Sequence, residues 1–227
     1  ITGGTLTLGN STTDISNFSG RPLTLNGGKL NGVGTINLVG TTLDVLAGGL
    51  LGGSRSIIGN VNNIAGTVSP GASPGIMTIN GDYFQGPQGT LLAELGGTVA
   101  GAQYDQLIVT GTVTLGGTLA VSLVNGFVPA PGDAFKVIQS PTVSGSFSSA
   151  PQTAQLLTTQ VLPSSVDLVA GSPASVTESL INPQINQTNT SPPAIIENPS
   201  GTTNTFNSSG PVVTAYLETT GGQFVPL

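Results

Sequence analysis

The stretch Thr112-Val-Thr-Leu-Gly-Gly-Thr-Leu-Ala-Val-Ser-Leu123 decides the fold. On each side of Gly116-Gly117, hydroxyl-bearing or small residues alternate with Leu and Val. That alternation puts apolar side chains on one face and polar ones on the other, the period-2 mark of a half-buried strand. A helix would need apolar residues three and four apart, and a paired glycine in its middle would break it. Similar short runs lie on both sides. They are Thr5–Leu8, Leu23–Leu25, Thr35–Leu38, Thr42–Val45, Ser56–Ile58, Gly75–Asn80, Thr90–Leu95, Gln106–Val109, Ala134–Ile138 and Ser165–Val169.

Spacing then separates two all-β architectures. Gly-Gly recurs at Gly3-Gly4, Gly27-Gly28, Gly48-Gly49, Gly52-Gly53, Gly96-Gly97 and Gly116-Gly117. The steps from Gly3 to Gly27, from Gly27 to Gly48 and from Gly96 to Gly116 are nearly equal, at roughly 20 to 25 residues, which points to a repeat architecture. The reading is a parallel β-helix over residues 1–170, with Leu, Ile and Val inside and Thr, Ser and Asn outside. Glycine supplies the positive φ of the corners. Roughly seven or eight coils of about 20 to 25 residues, about 4.8 Å apart, are expected. The alternative is a β-sandwich, which requires hairpins. The pairs Asn31-Gly32, Asn80-Gly81 and Asn125-Gly126 keep it open.

Composition narrows the chemistry. Of 227 residues, 34 are Gly and 68 are Thr, Ser or Asn, whereas only 6% are charged. Stacked ladders favour such residues, because like charges placed one above another repel. There is no Cys, His or Trp. No disulfide, no Cys or His metal site and no Ser-His-Asp or Cys-His machinery can form. A net charge of −6 with four basic residues disfavours nucleic acid. No apolar run is long enough for a membrane-spanning helix. The opening Ile1–Leu8 lacks a basic, apolar leader, so the chain is expected to be an excised piece of a secreted precursor.

Ten acids remain: Asp14, Asp44, Asp82, Glu94, Asp105, Asp133, Asp167, Glu178, Glu197 and Glu218. None lies within ten residues of another, and no calcium loop or phosphate loop is present. Catalysis is not expected, nor any metal or cofactor. Asp82 reads as a turn-former and Asp105 as a cap on backbone N–H groups. Glu94 faces away from Leu91, Ala93 and Leu95. The aromatic residues Tyr83, Phe84 and Tyr104 are candidate edge or glycan contacts.

Composition shifts at Gly171. Residues 171–227 hold seven Pro and no Lys or Arg, and read as an extended tail. Within it, residues 211–219 form a candidate strand. Val212, Val213, Thr214, Ala215, Tyr216, Leu217 and Glu218 are its core, and a lone strand must pair with its own body or a neighbouring molecule.

Residues 66–147 carry a further signal. The motifs in order are Gly66-Thr-Val-Ser-Pro-Gly-Ala-Ser-Pro-Gly75, Ile76-Met-Thr-Ile-Asn-Gly-Asp-Tyr83, Thr90-Leu-Leu-Ala-Glu-Leu-Gly-Gly97 and Tyr104-Asp-Gln-Leu-Ile-Val-Thr-Gly111. Val113–Leu119, Gly132–Val137 and Val143–Phe147 follow. This series resembles the β-helical repeat end of bacterial filamentous-haemagglutinin-like and autotransporter-passenger surface proteins. The resemblance implies a secreted right-handed β-helix that acts as a stalk, adhesin or surface fibre. The expected function is a structural protein of the bacterial cell surface that self-assembles head to tail through open coil ends and an exchanged tail strand. The alternatives are an adhesin stalk fragment that binds glycans and, behind it, a polysaccharide-acting enzyme.

Overall fold

The computed structural model describes residues 2–8, 12–14, 21–71, 73–149, 157–171, 216–218 and 224–226. Among them every regular element is a strand, so the chain is all-β. It divides into two units, Ile1–Pro173 and Ala174–Leu227.

The first unit holds two sheets. A six-stranded sheet runs β1 (Thr5–Leu8), β4 (Lys29–Gly32), β6 (Leu50–Gly53), β8 (Thr67–Pro70), β11 (Thr90–Leu95) and β14 (Thr118–Leu123). Every neighbouring pair in it is parallel. Partners are Thr5–Lys29, Lys29–Leu50, Leu50–Thr67, Thr67–Thr90 and Thr90–Thr118. These steps are unequal, shortest from Leu50 to Thr67 and longest from Thr90 to Thr118.

The 12-stranded sheet contains β2 (Thr12–Asp14), β3 (Leu23–Leu25), β5 (Gly34–Val45), β7 (Arg55–Asn63), β9 (Ile76–Asn80) and β10 (Tyr83–Gln85). With them stand β12 (Gln106–Val109), β13 (Thr112–Leu115), β15 (Ala134–Gln139), β16 (Thr142–Gly145), β17 (Leu157–Leu162) and β18 (Ser165–Ala170). Strands β5 and β7 are long because each serves two columns. The first part of β7 pairs with β9 and its last part with β10. The β5–β7 register shifts between Asn37 and Thr42, where Gly40 and Gly59 take positive φ.

Parallel pairing keeps like side chains in line. In the first sheet Leu30, Leu51, Val68, Leu91 and Leu119 stand in register and each is almost fully buried. In the second sheet one buried column is Ile36, Ile57, Ile79 and Val109, and another is Leu43, Val61, Tyr83 and Val113. Each fully buried Leu, Ile or Val contributes about 1.5–3 kcal/mol. The hairpins that a sandwich requires do not form at the Asn-Gly pairs. Asn31 and Gly32 lie inside parallel β4, and Asn80 closes parallel β9. Asn125-Gly126 makes a turn, with Phe127 N–H on Val124 O at 3.0 Å, but the flanking β14 and β15 lie in different sheets.

The pattern changes at one edge. Strand β18 runs antiparallel to β15, and β17 antiparallel to β18. Leu162 pairs with Ser165 across Pro163-Ser164, where Pro suits the first central position of a tight turn. The turn's carbonyls accept N–H bonds from Val143 and Ser140, at 2.8 and 3.0 Å.

The corner between β11 and β12 is a long loop that bonds to itself. Gly96 N–H donates to Gln103 O at 2.6 Å, and Gln103 N–H to Val99 O at 2.7 Å. The second unit contains β19 (Tyr216–Glu218) and β20 (Phe224–Pro226), antiparallel, with Leu217 opposite Val225.

Candidate functional site

Four features of the first unit place polar or aromatic groups where they act on something. The first is a corner ladder. Asn60 Oδ1 accepts the N–H of Asp82 at 2.8 Å. Asp82 Oδ1 in turn accepts the N–H and hydroxyl of Thr112, at 2.8 and 3.0 Å. One register step later Ser140 Oγ donates to Gly111 O at 2.8 Å. Asn60 and Asp82 each accept from the backbone of the following layer and Ser140 donates to that of the preceding one, the turn role read for Asp82.

The second is Asp105, which is 1% exposed. Its Oδ1 accepts Gly75 N–H at 2.8 Å and its Oδ2 accepts Glu94 N–H at 3.0 Å. Burial pushes its carboxyl up to about 6, and the charge of Glu94 adds to this. The two N–H bonds pull the other way but are outweighed. This carboxylate ties the loop before β9 to β11, a backbone cap as expected. Asp133 does the same on a smaller scale, accepting Ala130 N–H at 2.8 Å.

The third is a polar cluster inside the apolar columns. Tyr83 O–H donates to Gln85 Oε1 at 2.8 Å. Gln85 Nε2 donates to Gly116 O at 2.8 Å and Thr118 O at 3.0 Å. Asn63 Nδ2 donates to Thr90 O at 2.9 Å. Burial holds the Tyr83 phenol above its ordinary value.

The fourth is Arg55, 4% exposed. Its Nε donates to Gly52 O at 2.9 Å, while Nη1 and Nη2 are buried without a hydrogen-bond partner. Burial lowers its pKa to about 10, so it remains a cation at neutral pH.

These placements correct the aromatic expectation. Tyr83 is 1% exposed and Tyr104 6%. Tyr104 packs edge-on against Phe135, with ring centroids 5.5 Å apart, and Phe127 does likewise at 5.9 Å. Rings so enclosed offer no face to a sugar. Only Phe84, 42% exposed, points outward.

Of the candidate tail strand, three residues are described. Tyr216, Leu217 and Glu218 pair locally with Pro226, Val225 and Phe224. Val212, Val213, Thr214 and Ala215 lie outside the described residues.

Arg55, Asn63 and Gln85 escaped the sequence reading. For Gln85 a signal was present, because Tyr83-Phe-Gln85 alternates and a buried Tyr83 carries Gln85 to the same face. Arg55 carried none, being an isolated cation beside a Gly-Gly corner.

Among the described residues no group of three or more Asp or Glu side chains converges, and no helix is long and apolar enough to cross a membrane. No protein-family model matches the chain, and no curated protein matches it.

Proposed function

We propose that the first unit is a right-handed parallel β-helix, and that the chain is a non-catalytic structural protein of the bacterial cell surface. In this reading it associates end to end into an extracellular fibre or sheath. The observation that carries it is the set of buried columns running through successive register steps. Three columns, one per face, fit a coil with three strands. The right-handed sense follows the strong preference of parallel crossover connections. Asp82, Asp105 and Asp133 bond to backbone amides, which fits a scaffold role.

The edges suggest how copies meet. Among the described residues β1 pairs only with β4, and β2 and β3 only with β5. At the other end β14 pairs with β11 and meets Ser149 at a single bridge, and β16 pairs with β13. Single-paired strands are templates for another chain. Strand β1 of one copy can extend the sheet ending in β14 of the next, and β3 the column ending in β16. The β17–β18 hairpin covers the remaining face. A contact of this kind does not close, so it builds an open filament. The exchanged tail strand is not needed, since Tyr216–Glu218 already has a partner.

Negative-stain electron microscopy of the purified full chain tests this. Regular filaments are expected, with a repeat near 4.7–4.8 Å by fibre diffraction. They should survive removal of residues 171–227. Single short particles at all concentrations would overturn the assembly. A second reading, glycan contact, rests on exposed Phe84 alone. Loss of glycan-array binding in Phe84→Ala with filaments intact would favour it.

A further inference from the structure

We infer that Arg55 forms an internal binding site for a small monovalent anion of halide size. The guanidinium has five N–H donors, and the four on Nη1 and Nη2 have no protein acceptor. Those two atoms are sealed from solvent, so bulk water does not serve them. A buried cation with unmet donors is costly unless a counter-charge reaches it.

Among the acids whose side chains the structure describes, none bonds Nη1 or Nη2. Asp44 bonds Asn62 and Thr42, Asp82 bonds Thr112, and Asp105 bonds Gly75 and Glu94. Asp133 bonds Ala130, and Glu94 lines an open surface groove with Asn31, Gly52, Gly53 and Ser69. Asp167, whose Oδ1 is itself buried without a hydrogen-bond partner, lies on β18 in the antiparallel hairpin, opposite Lys136 and Gln160 in the backbone register.

The partner of Arg55 across β5 is Gly34, which places no side chain against the guanidinium. The preceding corner, Gly52-Gly53, is packed against Asn31 and Gly32 and supplies the carbonyl that Nε bonds. The retained charge favours an anion over a neutral water. The enclosure favours one charge over two, because a divalent oxyanion would leave a surplus negative charge in a low-dielectric interior. A halide accepts several N–H bonds without needing donors of its own, which suits a site that offers only donors.

The experiment is a chloride titration of the full chain at constant ionic strength, with bulky gluconate as the replacement anion. Thermal stability is the readout. An anion that binds only the folded state stabilises by mass action, and a tenfold excess over its dissociation constant raises the folding equilibrium constant about elevenfold. A saturable rise in Tm is expected, and it should be absent in Arg55→Met. A Tm that follows ionic strength alone would overturn the site. Bromide-soaked crystals of the unaltered chain give a readout that does not depend on the variant folding. An anomalous peak within hydrogen-bond distance of Nη1 or Nη2 supports the site. A water there without anomalous signal refutes it.

Discussion

Replacing Asp105 by Asn separates the cost of burying a charge from the worth of the bonds that charge accepts. The carboxyl is raised from 3.8 to about 6 in the folded chain. The folded state therefore holds the proton more tightly than the unfolded state. Stability from this group is fully present below about pH 4 and is lost as pH rises through about 6. A shift of about two units corresponds to about 3 kcal/mol.

The Asn amide carries no charge, so this pH dependence disappears in the variant. It has one oxygen, however, so either Gly75 N–H or Glu94 N–H faces an NH2 group instead of an acceptor. That mismatch costs about 1–3 kcal/mol. Urea unfolding of both proteins from pH 4 to 7.5 gives the difference between them, in which other titrating groups largely cancel. The parent should be the more stable at pH 4, and its advantage should shrink by about 3 kcal/mol by pH 7.5. A difference that stays constant across this range, or grows with pH, would refute the reasoning that burial dominates at Asp105.

Two further substitutions probe the columns and corners. Leu51→Ala removes a fully buried side chain held between Leu30 and Val68. It should cost about 2–5 kcal/mol in a urea titration, with the m-value unchanged if the sheet keeps its register. Gly117→Ala should be far worse than Gly126→Ala, although both glycines have positive φ. A Cβ at Gly117 would lie 2.1 Å from Gly89 O, whereas one at Gly126 meets nothing within 4 Å. The second change should cost about 1–2 kcal/mol from the backbone alone. Similar melting temperatures for the two variants would show that the close approach of layers is unimportant.

What could be read from the sequence follows the chemistry of each strand. Thr90–Leu95 and Thr118–Leu123 alternate cleanly, and the structure gives strands with those bounds. Strands β4, β6 and β8 escaped notice because Gly or Pro interrupts the alternation. In Leu50-Leu-Gly-Gly53, three consecutive residues are buried, since the glycines press against the adjoining layer rather than facing water. The parallel partners were beyond reach in detail. A hairpin fixes its own register through its turn, whereas Thr67 and Thr90 find each other only through the burial of Val68 and Leu91. The same limit hid the antiparallel β15–β18 pair, because both β16 and β17 intervene along the chain. At the candidate site, the turn roles of Asp82 and Asp105 were legible because short acids beside Gly or before an apolar run cap backbone. The burial of Tyr83 and Tyr104 was not, because ring size alone does not say which face a strand turns inward.

The loop from Gly96 to Asp105 carries a lesson about how such a chain can vary. The step from Leu50 to Thr67 is short and that from Thr90 to Thr118 is long, yet Leu51, Val68, Leu91 and Leu119 stay in line. Length is absorbed at the corners, and this corner holds itself together by bonding Gly96 to Gln103 and Gln103 to Val99. Insertions and deletions that arise there during evolution leave the buried columns untouched, whereas the loss of one residue within β11 would turn every later side chain of that strand to the wrong face. A foreign peptide displayed from this body therefore belongs at exposed Thr98, ahead of the turn in which Val99 O accepts the N–H groups of Ala102, Gln103 and Tyr104.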